Sequence, residues 1–359
     1  MPVDERVITA RFRAQLLTGA RRRSPEAVVE ALLAVQAQDA RGARLAVRSR
    51  SAGLRAADVD DAMTDRRTLL ITWLNRGTLH LVRAEDYWWL HPLTTPQIET
   101  GNRRRLHQEG VSDAQAARGI DVVTDAVRSH GPQTRRELRR RLDRARVPTA
   151  GQAFIHVLLA ASLRGEIVRG PVREGEHAFV AVSDWLDEPP EPLERSAALA
   201  RLARRYLAGH GPADARDLAR WAKLTLGDAR AGIEAIRSEL VDVAEDLVDL
   251  AKRDEPAGMP GPRLLGPFDP LLVGWASREF VVGPHKVVTS NGLFRACALV
   301  EGRVVGTWGL NGTTLTVKFL EKVKAPDADA LREDVADVLR FLGLTDRADV
   351  VVDAYNARS

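Results

Sequence analysis

Two glutamines separated by a single residue, Gln36 and Gln38, followed at once by Asp39, form the most chemically suggestive group in the sequence. A neutral amide has no useful pKa near 7 and is a poor base. Its carbonyl can still hold a water and its NH₂ a substrate, so paired amides suit positioning rather than proton transfer. To cooperate they must face the same way. Residues two apart on a continuing helix lie about 200° apart, whereas a helix that ends near Gln36 lets both amides turn toward one cleft. On composition alone, the ordinary account of the segment is a helix C-terminus with solvated polar residues.

Other catalytic sets are missing. The chain has no GxxxxGK phosphate loop, no GxGxxG after a strand, no HExxH and no paired-cysteine zinc set. Its eight histidines are scattered singly, so neither a metal nor a cofactor is expected. The one cysteine, Cys297, excludes an intramolecular disulfide and every cysteine-rich metal framework, and is expected to pack as a small hydrophobe.

The glutamines follow a strong helix signal. Ser24-Pro25-Glu26 supplies an N-cap, a first-turn proline and a first-turn acid, and Val28, Val29, Leu32, Leu33 and Val35 form an apolar stripe, which predicts a helix from about Pro25 to Val35. A further helix over Ala56–Thr64 precedes Leu69–Leu74, the pair Arg76-Gly77, and Thr78–Val82, which read as a β-hairpin. The same order recurs: helices over Ile120–Ser129, Gln133–Leu142 and Ala153–Leu163, then β-like runs at Gly165–Arg169 and Ala178–Val182. Three helices and a two-stranded wing make a winged helix-turn-helix. A third copy begins near Arg195, because His210-Gly211-Pro212 repeats His130-Gly131-Pro132 at an offset of 80 residues, with Arg136, Leu138 and Arg140 matching Arg216, Leu218 and Arg220. Asp187–Pro192 and Asp254–Pro262 read as linkers. After the second, short apolar runs at Phe280–Val282, Lys286–Val288, Ala296–Val300, Arg303–Trp308 and Thr314–Phe319 predict a small antiparallel barrel or sheet, closed by a helix over Ala328–Leu342. The expected class is mainly α with β (α+β): modules at 1–117, 118–187 and 193–253, then a C-terminal β unit at 260–359.

The 359 residues carry a net charge of only +4, which conceals an asymmetry: residues 1–150 hold a net +9 and the remainder −5. Of 53 basic residues, 47 are arginine, whose planar fork matches phosphate; codon bias accounts for most of the replacement of lysine but not for the asymmetry. No run of 18 uncharged apolar residues exists, and Met1–Arg13 lacks the apolar core of a secretory signal, so a cytoplasmic, nucleoid-associated protein is expected.

Four segments in order, Val35–Gln38, Thr72–His80, Phe268–Arg278 and Gly302–Trp308, together resemble the AlkZ/YcaQ-like family of bacterial winged-helix DNA glycosylases. The Gln-x-Gln form is similar to the branch linked to self-resistance against azinomycin crosslinks. The other branch carries Asp at the position of Gln38, whereas here an aspartate stands one residue later, at Asp39, and is read as a supporting structural group. The resemblance implies hydrolysis of the N-glycosidic bond of an alkylated purine in double-stranded DNA, chiefly cationic N7-alkylguanine, with the unhooking of interstrand crosslinks as an extension. Gln36 and Gln38 would position the attacking water and the deoxyribose. A lyase step needs an amine; no lysine precedes Lys223, leaving the processed amine of Pro2 as the other candidate, so a monofunctional, metal-independent enzyme is expected.

Expected DNA contacts are Arg41, Arg76 and His80 near the cleft, Arg136 and Arg140 within the basic run Arg135–Arg146, and Arg278 at the end of the third motif. Trp73, Trp275 and Trp308 are expected in cores. The rival reading is a non-enzymatic winged-helix DNA-binding regulator; the lack of coiled-coil heptads and of a sensory pocket favours a monomer that wraps the duplex.

Overall fold

A helix, a short extended segment, two more helices and a β-hairpin follow one another three times along the chain. The computed structural model describes residues 4–253, 258–345 and 349–353. After α1 (Glu5–Ala14), the first repeat comprises α2 (Pro25–Leu32), β1 (Val35–Gln36), α3 (Ala40–Arg48), α4 (Ala56–Thr64), β2 (Leu69–Leu74) and β3 (Thr78–Arg83). Two helices, α5 (Ala84–Thr94) and α6 (Pro96–Gln108), lead to the second: α7 (Asp113–His130), α8 (Arg135–Arg144), α9 (Ala153–Leu163), β4 (Ile167–Arg173) and β5 (Glu176–Ala181). After α10 (Val182–Trp185), the third holds α11 (Arg195–His210), α12 (Ala215–Ala222), α13 (Leu226–Glu234), β6 (Leu240–Ala244) and β7 (Leu247–Leu250). In the second and third repeats the extended segment shrinks to one bridging residue, Gln133 against Phe179 and Ala213 against Val248. The offset of 80 residues read from the sequence therefore relates equivalent structural positions.

Local chemistry explains the helix starts. Asp39, Thr134 and Asp214 each cap the helix that follows the extended segment, accepting from the amides of Gly42, Glu137 and Asp217. Ser112 caps α7 with a reciprocal bond from Gln115, so that helix starts at Asp113 and runs through the expected 117/118 boundary. The helix expected to reach Val35 ends at Leu32. Leu33 adopts a left-handed φ of 66°, which turns the chain out of the helix and into β1.

The first two hairpins are not separate wings. They merge into one five-stranded sheet, β1-β3-β2-β4-β5, through pairing of Ile71 with Arg169. The reason lies in β2: all six residues of Leu69–Leu74 are buried, so the strand needs cover on both faces and a partner at its outer edge. Trp73 stacks near Phe179, and the Arg169 guanidinium lies 5.0 and 4.8 Å from their ring centres.

The C-terminal part is an open sheet and not a barrel. Its strands are β8 (Arg263–Leu265), β9 (Ala296–Val300), β10 (Arg303–Asn311), β11 (Thr314–Phe319) and β12 (Asp349–Asp353), in the order β12-β11-β10-β9-β8. All pairs are antiparallel except β11 with β12, which follows the crossover helix α16 (Ala325–Leu342). Two short helices, α14 (Pro270–Val273) and α15 (Glu279–Val282), lie between β8 and β9, so Phe280–Val282 is helical and not the expected strand. A three-residue apolar run does not distinguish the two periodicities. Lys286–Val288 contributes only a bridge from Val288 to Phe294. Trp275 and Trp308 are core residues whose indoles donate to the carbonyls of His210 and Leu265. Cys297 is buried, which pushes its thiol up to about 12. The expected linker Asp187–Pro192 has no regular structure, while residues 254–257 of the second lie outside the described residues. No helix among the described residues is long and apolar enough to cross a membrane.

One fully buried ion pair joins the N-terminal repeat to the C-terminal part. Arg50 forks onto Asp269, Nη1 to Oδ2 at 2.9 Å and Nη2 to Oδ1 at 2.7 Å. Its other donors go to the Gln15 carbonyl, the Gln15 side chain and the Ala46 carbonyl. Removing one member leaves a desolvated charge, so Asp269→Asn is expected to destabilise the fold by about 3–5 kcal/mol, read as a lower urea midpoint. An unchanged midpoint would show the pair to be dispensable.

Candidate functional site

The left-handed turn at Leu33 puts Gln36 on the extended chain of β1, while Gln38 follows in the bend that leads into α3. β1 pairs with β3 through Val35 with Leu81 and Gln36 with His80, and the Ala37 amide donates to the Leu79 carbonyl at 2.7 Å. Gln36 and Gln38 both line one cleft of about 310 Å³. The opposite wall comes from the C-terminal part: Phe268, Val273, Arg278 and the loop Asn291–Phe294. Phe268 has a left-handed φ of 56° and is fixed by its neighbour Asp269, which caps α14 and receives Arg50. Gly42 lets α3 approach this wall, since a Cβ there would collide with the Pro267 carbonyl.

Arg76 locks the glutamine wall in place. It sits at the tip of the β2–β3 hairpin, where Asn75 and Gly77 both adopt positive φ. One Nη donates to the Gln36 Oε1 at 3.1 Å and the other to the Trp221 carbonyl of α12 at 2.9 Å. Gln36 is buried and keeps its NH₂ and one oxygen lone pair for the cleft. Gln38 is exposed, and its Oε1 takes a long 3.4 Å bond from the Leu79 amide. Three guanidiniums, Arg76, Arg220 and Arg278, surround the cleft, and no carboxylate is among its described lining residues. Burial, and then the nearby Arg220, lower the pKa of both Arg76 and Arg278.

The family model for AlkZ-like DNA glycosylases matches residues 29–341. The chain belongs to the AlkZ-like DNA glycosylase family. A curated relative, the interstrand DNA cross-link repair glycosylase of Streptomyces sahachiroi, is 28% identical over 375 residues, spanning 94% of this chain and 96% of its own. The solved structure of Streptomyces sahachiroi DNA glycosylase AlkZ superimposes with a TM-score of 0.75 at 26% identity, over 98% of this chain and all of that one.

Among the residues expected to serve the glycosylase, Gln36, Gln38, Arg76 and Arg278 come together in the cleft. Asp39 caps α3 at 2.6 Å from the Gly42 amide, the same service that Thr134 and Asp214 perform in the other repeats. His80 is not at the surface. It is buried, bonded to the Thr78 carbonyl at 2.9 Å and driven down to about 3, chiefly by burial and then by Arg76, so it offers DNA neither contact nor charge. The reason is that β3 is covered on both faces from Leu79 to Val82, so strand alternation offers no outward position there. Arg41 is exposed and donates to the Leu310 carbonyl of β10 at 3.3 Å. Arg136 pairs with Glu174, whereas Arg140 is exposed with no partner among the described residues. Sequence reasoning misses Arg220 as a site residue, although its match to Arg140 at the repeat offset is visible there.

Three buried histidines, His80, His177 and His210, lie near 3 instead of the ordinary 6.5, with burial the first cause in each. Between those values the unfolded chain binds a proton at each histidine and the native state does not, so stability is full above about pH 6.5 and falls as pH drops toward 3. Urea midpoints measured from pH 7 to pH 4 are expected to decline, and less steeply in His80→Gln. An identical slope in that variant would contradict the neutral, buried state of His80.

Proposed function

We propose that this glycosylase is monofunctional and hydrolyses the N-glycosidic bond of alkylated purines in double-stranded DNA, chiefly cationic N7-alkylguanine. The observation that carries the reading is that Gln36, at the end of β1, and Gln38, in the bend after it, line a single cleft, with Gln36 oriented by Arg76. Among the described residues that line it, none has a carboxylate or imidazole to act as a strong base. N7-alkylguanine does not demand one, because the base already carries the positive charge that makes it a good leaving group. As the C1′–N9 bond breaks, its electron pair passes to the purine, which departs neutral. The sugar is left as an oxocarbenium-like centre, water adds at C1′, and its proton is released to solvent. The amide dipoles stabilise the developing cation and hold the water in line.

The cleft, among the described residues, contains no lysine, which supports base release without a Schiff-base strand break. We read the three repeats as winged helix-turn-helix modules, divided near 1–117, 118–187 and 193–253, with the first boundary moved back to the start of α7, and 260–359 as the C-terminal unit. The chain would act as a monomer, with the exposed Arg41, Arg136 and Arg140 as phosphate anchors. The name of the curated relative extends the proposed substrates to interstrand crosslinks. The regulator reading loses its footing, since the family is one of glycosylases.

Release of N7-methylguanine from a duplex, followed under single turnover in EDTA, tests the reading. Gln36→Ala and Gln38→Ala are each expected to slow release roughly 100-fold while duplex affinity stays near that of the wild type. The product strand should remain intact until treated with alkali. Parallel loss of binding and turnover would remove the positioning role, and nicking without alkali would remove the monofunctional assignment.

A further inference from the structure

Arg76 orients Gln36, whereas Arg220 has no assigned work and Arg278 only the expected contact with DNA. Arg220 lies on α12, in the third repeat, exposed and without a hydrogen-bond or ion-pair partner among the described residues. Arg278 turns only its Nε inward, to the Leu272 carbonyl at 3.1 Å, and its guanidinium carbon lies 4.9 Å from the centre of the Phe294 ring. That leaves both Nη groups of Arg278 and the donors of Arg220 without a hydrogen-bond partner among the described residues, on side chains that line the cleft. With Arg76 they place three like charges around one concavity whose described lining holds no carboxylate to offset them. Such an arrangement is relieved by an anion. A cationic purine gains nothing from it, whereas the strand that carries the purine supplies a phosphodiester next to the reacting sugar.

We propose that Arg220 and Arg278 form a clamp for a phosphodiester flanking the lesion, which holds the damaged deoxyribose against Gln36 and Gln38. This rests on the glycosylase reading of the cleft. The third repeat then completes a site whose glutamines belong to the first, and Arg76 joins the two through the carbonyl of Trp221, the neighbour of Arg220. The clamp positions substrate; it takes no part in bond making.

The test uses the full chain and duplexes carrying one N7-methylguanine, with a neutral methylphosphonate replacing the phosphate immediately 5′ or 3′ to it. Arg220→Ala and Arg278→Ala are each expected to slow single-turnover release about tenfold or more, and Arg220→Lys to fall between, since lysine keeps the charge but loses the fork. One of the two methylphosphonates should slow the wild type by a similar factor and Arg220→Ala by no more than it is already slowed. The thermal midpoint of Arg220→Ala, at an exposed position, is expected to match the wild type, which separates positioning from folding. Wild-type release with Arg220→Ala unimpaired, or with equal methylphosphonate effects in variant and wild type, overturns the clamp and leaves the glycosylase reading standing. If the wild type releases no base, that reading fails, and affinity for the same duplexes decides the clamp: non-additive losses sustain it, additive losses overturn it.

Discussion

Everything in the cleft depends on a charge pair that water never reaches. Arg50, just past the end of α3, and Asp269, at the start of α14, are both fully buried and bonded through two parallel contacts. Isolated, either charge would be too costly to desolvate; together, with the remaining donors of Arg50 satisfied by Gln15, Ala46 and Ser49, they are fully accounted for. Gln15 continues the network by donating to the Gly209 carbonyl at the end of α11. One cluster of bonds thereby ties the N-terminal repeat, the third repeat and the C-terminal part into a fixed relation. The two walls of the cleft belong to parts that this network holds together, so their spacing rests on a buried polar joint.

The same logic recurs wherever distant segments meet, and it gives a structural use to the arginine excess. Arg48 reaches the Leu264 carbonyl, Arg263 the carbonyls of Leu17 and Ser49, Arg11 that of Pro212, and Arg253 that of Ala208. Each satisfies backbone acceptors left over at a junction between elements far apart in sequence. A planar fork can serve several acceptors at once in a fixed geometry, which the single ammonium of lysine does less well. Codon bias can supply the arginines, but these positions employ the guanidinium itself.

Local signals are legible in the sequence, and long-range ones are not. Ser24-Pro25 marks α2, the limits of α4 and α9 follow from periodicity, and the repeat offset points to structurally equivalent residues. Gln36 and Gln38 stand out, but their setting suggests a helix end where the structure has a short strand and a bend. The decisive event, a left-handed turn at Leu33, uses a residue type that carries no turn signal. Similarly, nothing local in Leu69–Leu74 announces pairing with a strand a hundred residues away, and the strand-like triplet Phe280–Val282 becomes a helical turn in its tertiary setting. Arg220 enters the site only because α12 packs behind the hairpin that carries Arg76, a contact between repeats that no sequence window contains.

The repeated architecture bears on how such a cleft is built. The segment that holds Gln36 and Gln38 in the first repeat has counterparts in the other two. In the second, the amide of Gln133 is absorbed by its own turn and by Arg141, and in the third the position is Ala213. Of three copies of one scaffold, a single copy turns amides into the cleft. The labour is divided among like units: one turns its amides into the cleft, while its siblings form the frame against which that edge is aimed.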